Sequence, residues 1–109
     1  MTNLSWNYYS GAITFTDSYK LSADYIDFSP EFVEKQRTEL YEFLDNSVVD
    51  FAVEVRGLRA VVYDFWLTRN RHGSGFWEGH YENGKVLTDI AQSFGEVETY
   101  EGDDHLLYS

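Results

Sequence analysis

The residues whose chemistry stands out first lie between Asp64 and Trp77. The run Asp64-Phe65-Trp66-Leu67-Thr68-Arg69-Asn70-Arg71-His72-Gly73-Ser74-Gly75-Phe76-Trp77 brings together two arginines, a histidine, two glycines and two tryptophans. Backbone N–H groups in a glycine-rich turn such as Gly73-Ser74-Gly75 can form a nest for an anion. Arg69 and Arg71 would add charge-assisted donors, and Trp66 or Trp77 would give a base a face to stack on. The Gly-Lys-Ser/Thr core of a P-loop is missing. An architectural reading stands beside this one. In it Arg69 pairs with Asp64 or with an acid from a flank, and Phe65, Trp66, Phe76 and Trp77 fill a core closed by a tight turn.

The second place is a set of carboxylates. Glu31, Glu34, Glu42 and Asp45 fall in a narrow stripe when residues 30–45 are wound at 100° each, with Glu39 just off it. At 1.5 Å per residue, Glu31 to Asp45 spans roughly 21 Å. Glu96, Glu98, Glu101, Asp103 and Asp104 near the C-terminus could lengthen such a stripe, because alternate strand residues share a face. A row of carboxylates of this length could stand in for the phosphates of a DNA strand. The plainer reading is a solvated face.

Catalytic and metal chemistry are poorly provided for. Ser74, His72 and Asp64 make a triad in composition alone. Neither Gly-x-Ser-x-Gly nor His-Glu-x-x-His occurs. His72 and His80 lie near Glu78 and Glu82, and Asp103-Asp104-His105 lies at the far end, in spacings that match no metal signature. No catalytic residue, metal or cofactor is assigned. The chain has no cysteine, which removes disulfides, thiolate zinc sites and a cysteine nucleophile.

These residues must be held by a small scaffold. Ser29-Pro30-Glu31 starts a helix, with Ser as N-cap and Pro at the first position. The helix runs to about Asp45, its apolar arc made by Phe32, Val33, Gln36, Leu40, Phe43 and Leu44. Ala12 to Thr16 alternates loosely and suggests a strand, and Met1 to Asn7 reads as a loose end. Residues 48–55 fit a strand period through Val49, Phe51, Val53 and Val55, although a helix also fits. Leu58 to Arg69 has a helical period. Arg71 to Gly75 is a turn, and Asn83-Gly84 is a break. Lys85 to Phe94 fits an amphipathic helix stopped by Gly95. Glu96–Glu101 and His105–Tyr108 read as a β-hairpin around Gly102-Asp103-Asp104. The expectation is one α+β domain over residues 1–109, with amphipathic helices and a C-terminal hairpin.

Charge separates the chain into three parts. The whole has 19 Asp and Glu against 8 Lys and Arg, a formal charge of -11. Residues 1–55 hold 10 acids and 3 bases, residues 56–77 hold 1 acid and 4 bases, and residues 78–109 hold 8 acids and 1 base. A charge this negative argues against direct nucleic-acid binding. Aromatic residues make up 18% of the chain, enough to build a core despite the charge. No apolar stretch is long enough to span a membrane, and no signal peptide is read at the N-terminus.

The run from Asp64 to Glu78 resembles a group of small acidic proteins of tailed bacteriophages, whose shared pattern is D-F-W-L-T-R-N-x-H-G-x-G-F-W-D. The likeness extends to Tyr25-Ile26-Asp27, Ser29 to Glu31, Leu87-Thr88, Phe94 to Val97 and Tyr100 to Asp104. It departs at Arg71, where a glycine is usual, and at Glu78, where Asp is usual, and it is weak over residues 46–63. The resemblance implies phage origin and a setting in the host cytoplasm; it implies no activity. With the acidic stripe it leads to the expectation of a DNA-mimic-like inhibitor, not an enzyme. Such a protein binds a host DNA-binding, nuclease, repair or restriction protein. Self-association as a homodimer stays open. The alternative is a module that grips a nucleotide, nucleic acid or other anion with the loop 69–77.

Mutual repulsion of so many carboxylates opposes compaction, and salt screens it. The thermal unfolding midpoint is therefore expected to rise as NaCl increases from about 0.01 M to about 1 M. A midpoint that falls over this range, followed by circular dichroism, would show that the charges are already balanced in space.

Overall fold

Helix formation is set mainly by where apolar side chains recur at helical spacing and where a polar side chain can cap the first turn. The computed structural model describes residues 3–109. Five α-helices and three short strands occur among them: α1 (Asn3–Asp17), β1 (Asp27–Phe28), α2 (Pro30–Leu44), α3 (Ser47–Arg56), α4 (Leu58–Arg69), α5 (Gly84–Ser93), β2 (Tyr100–Glu101) and β3 (Leu106–Tyr108). Single 3-10 turns fall at Ser18–Lys20 and Phe76–Glu78. None of the described helices is long and apolar enough to cross a membrane. The architecture is α+β in the broad sense and mainly helical.

α2 starts as its sequence requires. The Ser29 hydroxyl accepts a hydrogen bond from Phe32 N, and Pro30 occupies the first helical position. Phe32, Gln36, Leu40, Phe43 and Leu44 are buried on one side. α4 lies at the centre of the helical layer and packs against α1, α3 and α5. Its Phe65 stacks on Phe43 of α2 with ring centroids 3.9 Å apart and planes 6° apart. Tyr9 of α1 covers the Phe65 ring at 5.6 Å, while Phe94 meets both Phe65 and Phe43 edge-on. Offset and edge-on contacts of this kind add about 0.5–1.5 kcal/mol per pair beyond the area they bury.

Two expectations need correction, and one open choice is decided. The suggested strand at Ala12–Thr16 is the C-terminal half of α1. Its buried residues Ser5, Tyr9, Ala12, Ile13 and Asp17 follow a helical spacing, and Phe15, which had suggested alternation, is 77% exposed. The loose end at 1–7 is helical from Asn3 onward, and Met1 and Thr2 lie outside the described residues. Residues 48–55, which fitted strand and helix alike, form α3. Asn46 decides this, since its side-chain oxygen accepts from Val48 N and Val49 N and caps the helix.

The C-terminal strands belong to a larger sheet than two strands. β3 is central, antiparallel to β2 through Tyr100↔Tyr108 and Glu101↔Leu107, and parallel to β1 through Asp27↔Leu106 and Phe28↔Leu107. Glu101 ties this sheet to the segment before β1. Its carboxylate accepts from Ser22 N at 2.7 Å and Ser22 Oγ at 2.6 Å, and contacts His105 Nδ1 at 2.7 Å. The His105 carbonyl accepts from Ile26 N.

These contacts hold the Glu101 carboxyl down to about 2, with the Ser22 hydroxyl the leading cause, and they raise His105 above its ordinary 6.5, with the Glu101 hydrogen bond first. A raised histidine contributes stability that is full below its unfolded pKa and lost as pH rises through the folded one. The lowered Glu101 contributes stability that is present above its unfolded value and lost as pH falls toward about 2. The sheet is thus held best on the acid side of neutrality. An NMR titration should place His105 above 6.5, and Glu101→Gln should return it toward that value. A His105 pKa unchanged by Glu101→Gln would show that the contact is not formed in solution.

Candidate acidic binding face

The motif residues are largely consumed by the fold. Arg69 is 2% exposed. Its Nε donates to Gly95 O at 2.9 Å and its Nη2 to Phe94 O at 3.0 Å, while Nη1 reaches Tyr9 Oη at 3.2 Å and Gln36 Oε1 at 3.4 Å. Glu39 Oε1 lies 2.7 Å from Nη2. That approach is off-axis and leaves Oε1 without a well-directed hydrogen bond, so the attraction is mainly Coulombic. The expected acid partner of Arg69 is therefore Glu39 of α2, not Asp64. Burial raises the Tyr9 hydroxyl pKa, and the Arg69 charge opposes that rise.

The other motif residues serve local geometry. Trp66 is fully buried and donates its indole N–H to Thr16 Oγ1 at 2.8 Å, so it offers no stacking face. Asn70 accepts from Val97 N at 2.7 Å and donates to Trp66 O. Asp64 accepts from the Tyr81 hydroxyl at 2.7 Å, and burial raises its pKa. A Cβ at Gly75 would come within 2.5 Å of Thr68 Oγ1 and 2.6 Å of the Trp77 ring, so glycine is required by close approach. Arg71 stands at φ 56°, in the left-handed region that favours glycine. Its side chain, exposed, pairs with Glu96 at 3.2 Å. Of the loop residues, Gly73 and Trp77 are exposed, and His72 is partly exposed. Asp64 is bonded to Tyr81 rather than His72, so Ser74, His72 and Asp64 form no linked triad. Among the described residues no three His, Asp or Glu side chains gather as metal ligands would.

The acids divide into engaged and free. Glu39, Glu96 and Glu101 are held by Arg69, Arg71 and the Ser22–His105 pair, which takes them out of the expected stripe. Glu31, Glu34, Glu42 and Asp45 are exposed and make no salt bridge among the described residues. Glu31, Glu34, Glu39 and Glu42 border one shallow trough along α2, with Lys35 and Thr38 between them. Glu42 also borders the cleft between α2 and α5, where Asp89 stands opposite. At the other end Glu31 lies near Tyr108, whose hydroxyl donates to Asp104 at 2.6 Å. The Asp104 hydrogen bond, followed by burial and nearby charges that include Glu31, raises the Tyr108 pKa to about 12. The free carboxylates on α2 are thus flanked by two engaged ones, Asp104 in the turn before β3, which accepts from Tyr108, and Asp89 of α5, which pairs with Lys85. Glu98 and Asp103 are exposed but border neither the trough nor the cleft, and Asp50, Glu54 and Glu82 are exposed on or near α3.

Asp89, four residues after Lys85, forms a helix ion pair with it. Sequence reasoning missed the Arg69 site on α2. The signal was Gln36, an amide inside an apolar arc, which a helix buries only if it has a partner. Comparison of the chain with protein-family models, curated proteins and solved structures gives no match.

Removing one partner of a buried pair leaves the other charge uncompensated. Arg69→Ala is expected to lower stability by about 3–5 kcal/mol, and Arg71→Ala, whose pair is exposed, by less than about 1 kcal/mol. Urea unfolding of the two variants checks this. Equal losses would mean that the buried network contributes no more than a surface pair.

Proposed function

We propose that this chain is a phage-encoded accessory protein that acts in the host cytoplasm. It inhibits a host DNA-binding enzyme of a restriction, repair or nuclease system by presenting the α2 face in place of a phosphate backbone. The observation that carries this reading is the row of exposed carboxylates Glu31, Glu34 and Glu42 on α2 and Asp45 at its C-cap, none of which makes a salt bridge among the described residues.

The physical case rests on preorganisation and field. A DNA-tracking protein presents Arg and Lys at positions set by a regular phosphate repeat. Carboxylates on a packed helix are already in place, so little ordering cost falls on association. The net charge of -11 adds long-range attraction for a basic partner and repulsion from nucleic acid itself. Lys35 interrupts the row and gives it a pattern, which favours a partner with an acid or a gap at the matching place. The anion-gripping reading of loop 69–77 has less support, because Arg69 is buried and Arg71 is paired.

The test is capture from host lysate at low salt on immobilised chain, followed by measured association rates. A nucleic-acid-binding protein should be retained, and its association should slow steeply as salt rises. Glu34→Lys with Glu42→Lys should abolish retention while the thermal midpoint stays within a few degrees. Retention that survives the charge reversal, or capture of proteins with no nucleic-acid function, would overturn the proposal.

A further inference from the structure

α2 carries two troughs, one on each side of a ridge made by Glu34 and Thr38. Wound at 100° per residue, Glu31, Lys35 and Glu42 fall on one side of that ridge, and Pro30, Val33 and Arg37 fall on the other. The first side is the acidic trough. The second is bounded by Phe28 and Tyr41 and is mainly apolar. Phe28, Val33 and Tyr41 are only half-buried, so part of their apolar surface meets solvent. Both troughs follow the same stretch of helix, from Pro30 to Glu42, roughly 18 Å long. A single cation stands in the apolar trough. The Arg37 guanidinium lies 5.9 Å from the Trp6 ring and 5.9 Å from the Tyr41 ring. Its Nη2 donates to Tyr41 Oη at 3.2 Å and Asn3 Oδ1 at 3.4 Å. Arg37 makes no salt bridge among the described residues, in a chain with 19 acids and 8 bases. A guanidinium carries five donors, so Arg37 is held in place with donors to spare.

We propose that α2 seats a basic amphipathic α-helix of its partner, about three turns long. The partner's Lys or Arg residues lie over the acidic trough, and its apolar residues enter the trough of Phe28, Val33 and Tyr41. One acidic residue among the apolar ones meets Arg37. The inference rests on reading α2 as the partner-binding face, but not on the partner's being a DNA-binding enzyme. Relief supports a helix. A ridge with a trough on each side is what a second helix fits, its own groove receiving the ridge, while side chains three and four apart drop to either side. An extended segment would fill one trough alone, because its side chains alternate between faces. Charge chooses the side chains. The acidic trough attracts cations and repels nucleic acid, and Arg37 can meet a carboxylate with two parallel hydrogen bonds. That one reversed charge fixes the register of the partner helix. A basic helix of this length is marginal alone in water, so it folds as it binds.

The test uses the full chain and a capped peptide of about 15 residues. The peptide is built of Leu, Lys and Ala with one Glu among the leucines, so that a helix carries Leu and Lys on adjoining flanks. Binding is followed by fluorescence anisotropy, circular dichroism and two-dimensional amide NMR. The peptide should gain helix on binding and shift amides at residues 28–42. A peptide of the same composition in scrambled order, and one with Ala in place of Leu, should each bind about tenfold more weakly. Glu34→Lys with Glu42→Lys should cost at least as much. Exchanging the peptide's Glu for Gln should weaken binding to the unaltered chain but not to an Arg37→Gln chain whose melt shows it folded. The proposal is overturned if the scrambled or Leu-free peptide binds as well, or if the shifts fall on residues 48–56 of α3 instead. It is equally overturned if the exchange of Glu for Gln costs as much against Arg37→Gln. Its failure is separable from that of the proposed function. A host protein captured through α2 while the peptide does not bind overturns this inference alone. Peptide binding with no such capture supports it and overturns the other.

Discussion

A single buried guanidinium sets the arrangement of four helices. Arg69 projects from the last turn of α4 into the space between α1, α2 and the end of α5. There Tyr9, Gln36 and the carbonyls of Phe94 and Gly95 receive its N–H groups, and the Glu39 carboxylate lies beside it as counter-charge. Phe65 and Phe94 lie against the cation at 5.3 and 5.8 Å. A charge removed from water costs several kcal/mol unless every donor is met, and guanidinium has five to satisfy. The helices are therefore constrained to one mutual placement. α5 must end where its last carbonyls can be reached, and Gly95 at φ 82° lets the chain turn there.

This constraint reaches the surface. Glu39 reaches Arg69 from the edge of the buried side of α2, and Glu31, Glu34 and Glu42 stand on the adjoining exposed side of the same helix. The buried arc of Phe32, Gln36, Leu40, Phe43 and Leu44 thus determines which acids face solvent. The aromatic packing around Phe43 and Phe65 offsets the repulsion that a net charge of -11 imposes on a chain of 109 residues. Core and surface are opposite sides of the same helix, so neither can be altered independently.

Some of this was legible from residues alone and some was not. α2 was plain, because Ser29, Pro30 and the apolar arc agree on one helix. α4 followed from its period, and Gly95 marked the end of α5. α1 was obscured because exposed Phe15 beside buried Ile13 imitates strand alternation, and the polar residues Ser5 and Asp17 are buried on its inner face. α3 was ambiguous because its β-branched residues suit a strand, and the cap at Asn46 is a local signal that periodicity ignores. The motif from Asp64 to Trp77 looked like a ligand loop because arginines and glycines serve both purposes. What decides between them is a partner 30 positions away on another helix, and no spacing rule reveals such a pairing. On α2 the helix exposes Glu31, Glu34 and Glu42 while Glu39 turns to Arg69, and in the tail Glu96 and Glu101 turn to basic or hydroxyl partners.

The small sheet has a consequence for the order of assembly. Its parallel pair joins Asp27 and Phe28 to Leu106 and Leu107, and Glu101 grips Ser22 from 79 positions along the chain. Closing so large a loop is entropically costly until much else is in place. In the helical layer α3, α4 and α5 are neighbours in sequence as well as in space, while α1 reaches α4 across the whole of α2 and α3. β1 therefore gains its backbone partner only once Leu106 and Leu107 are in place.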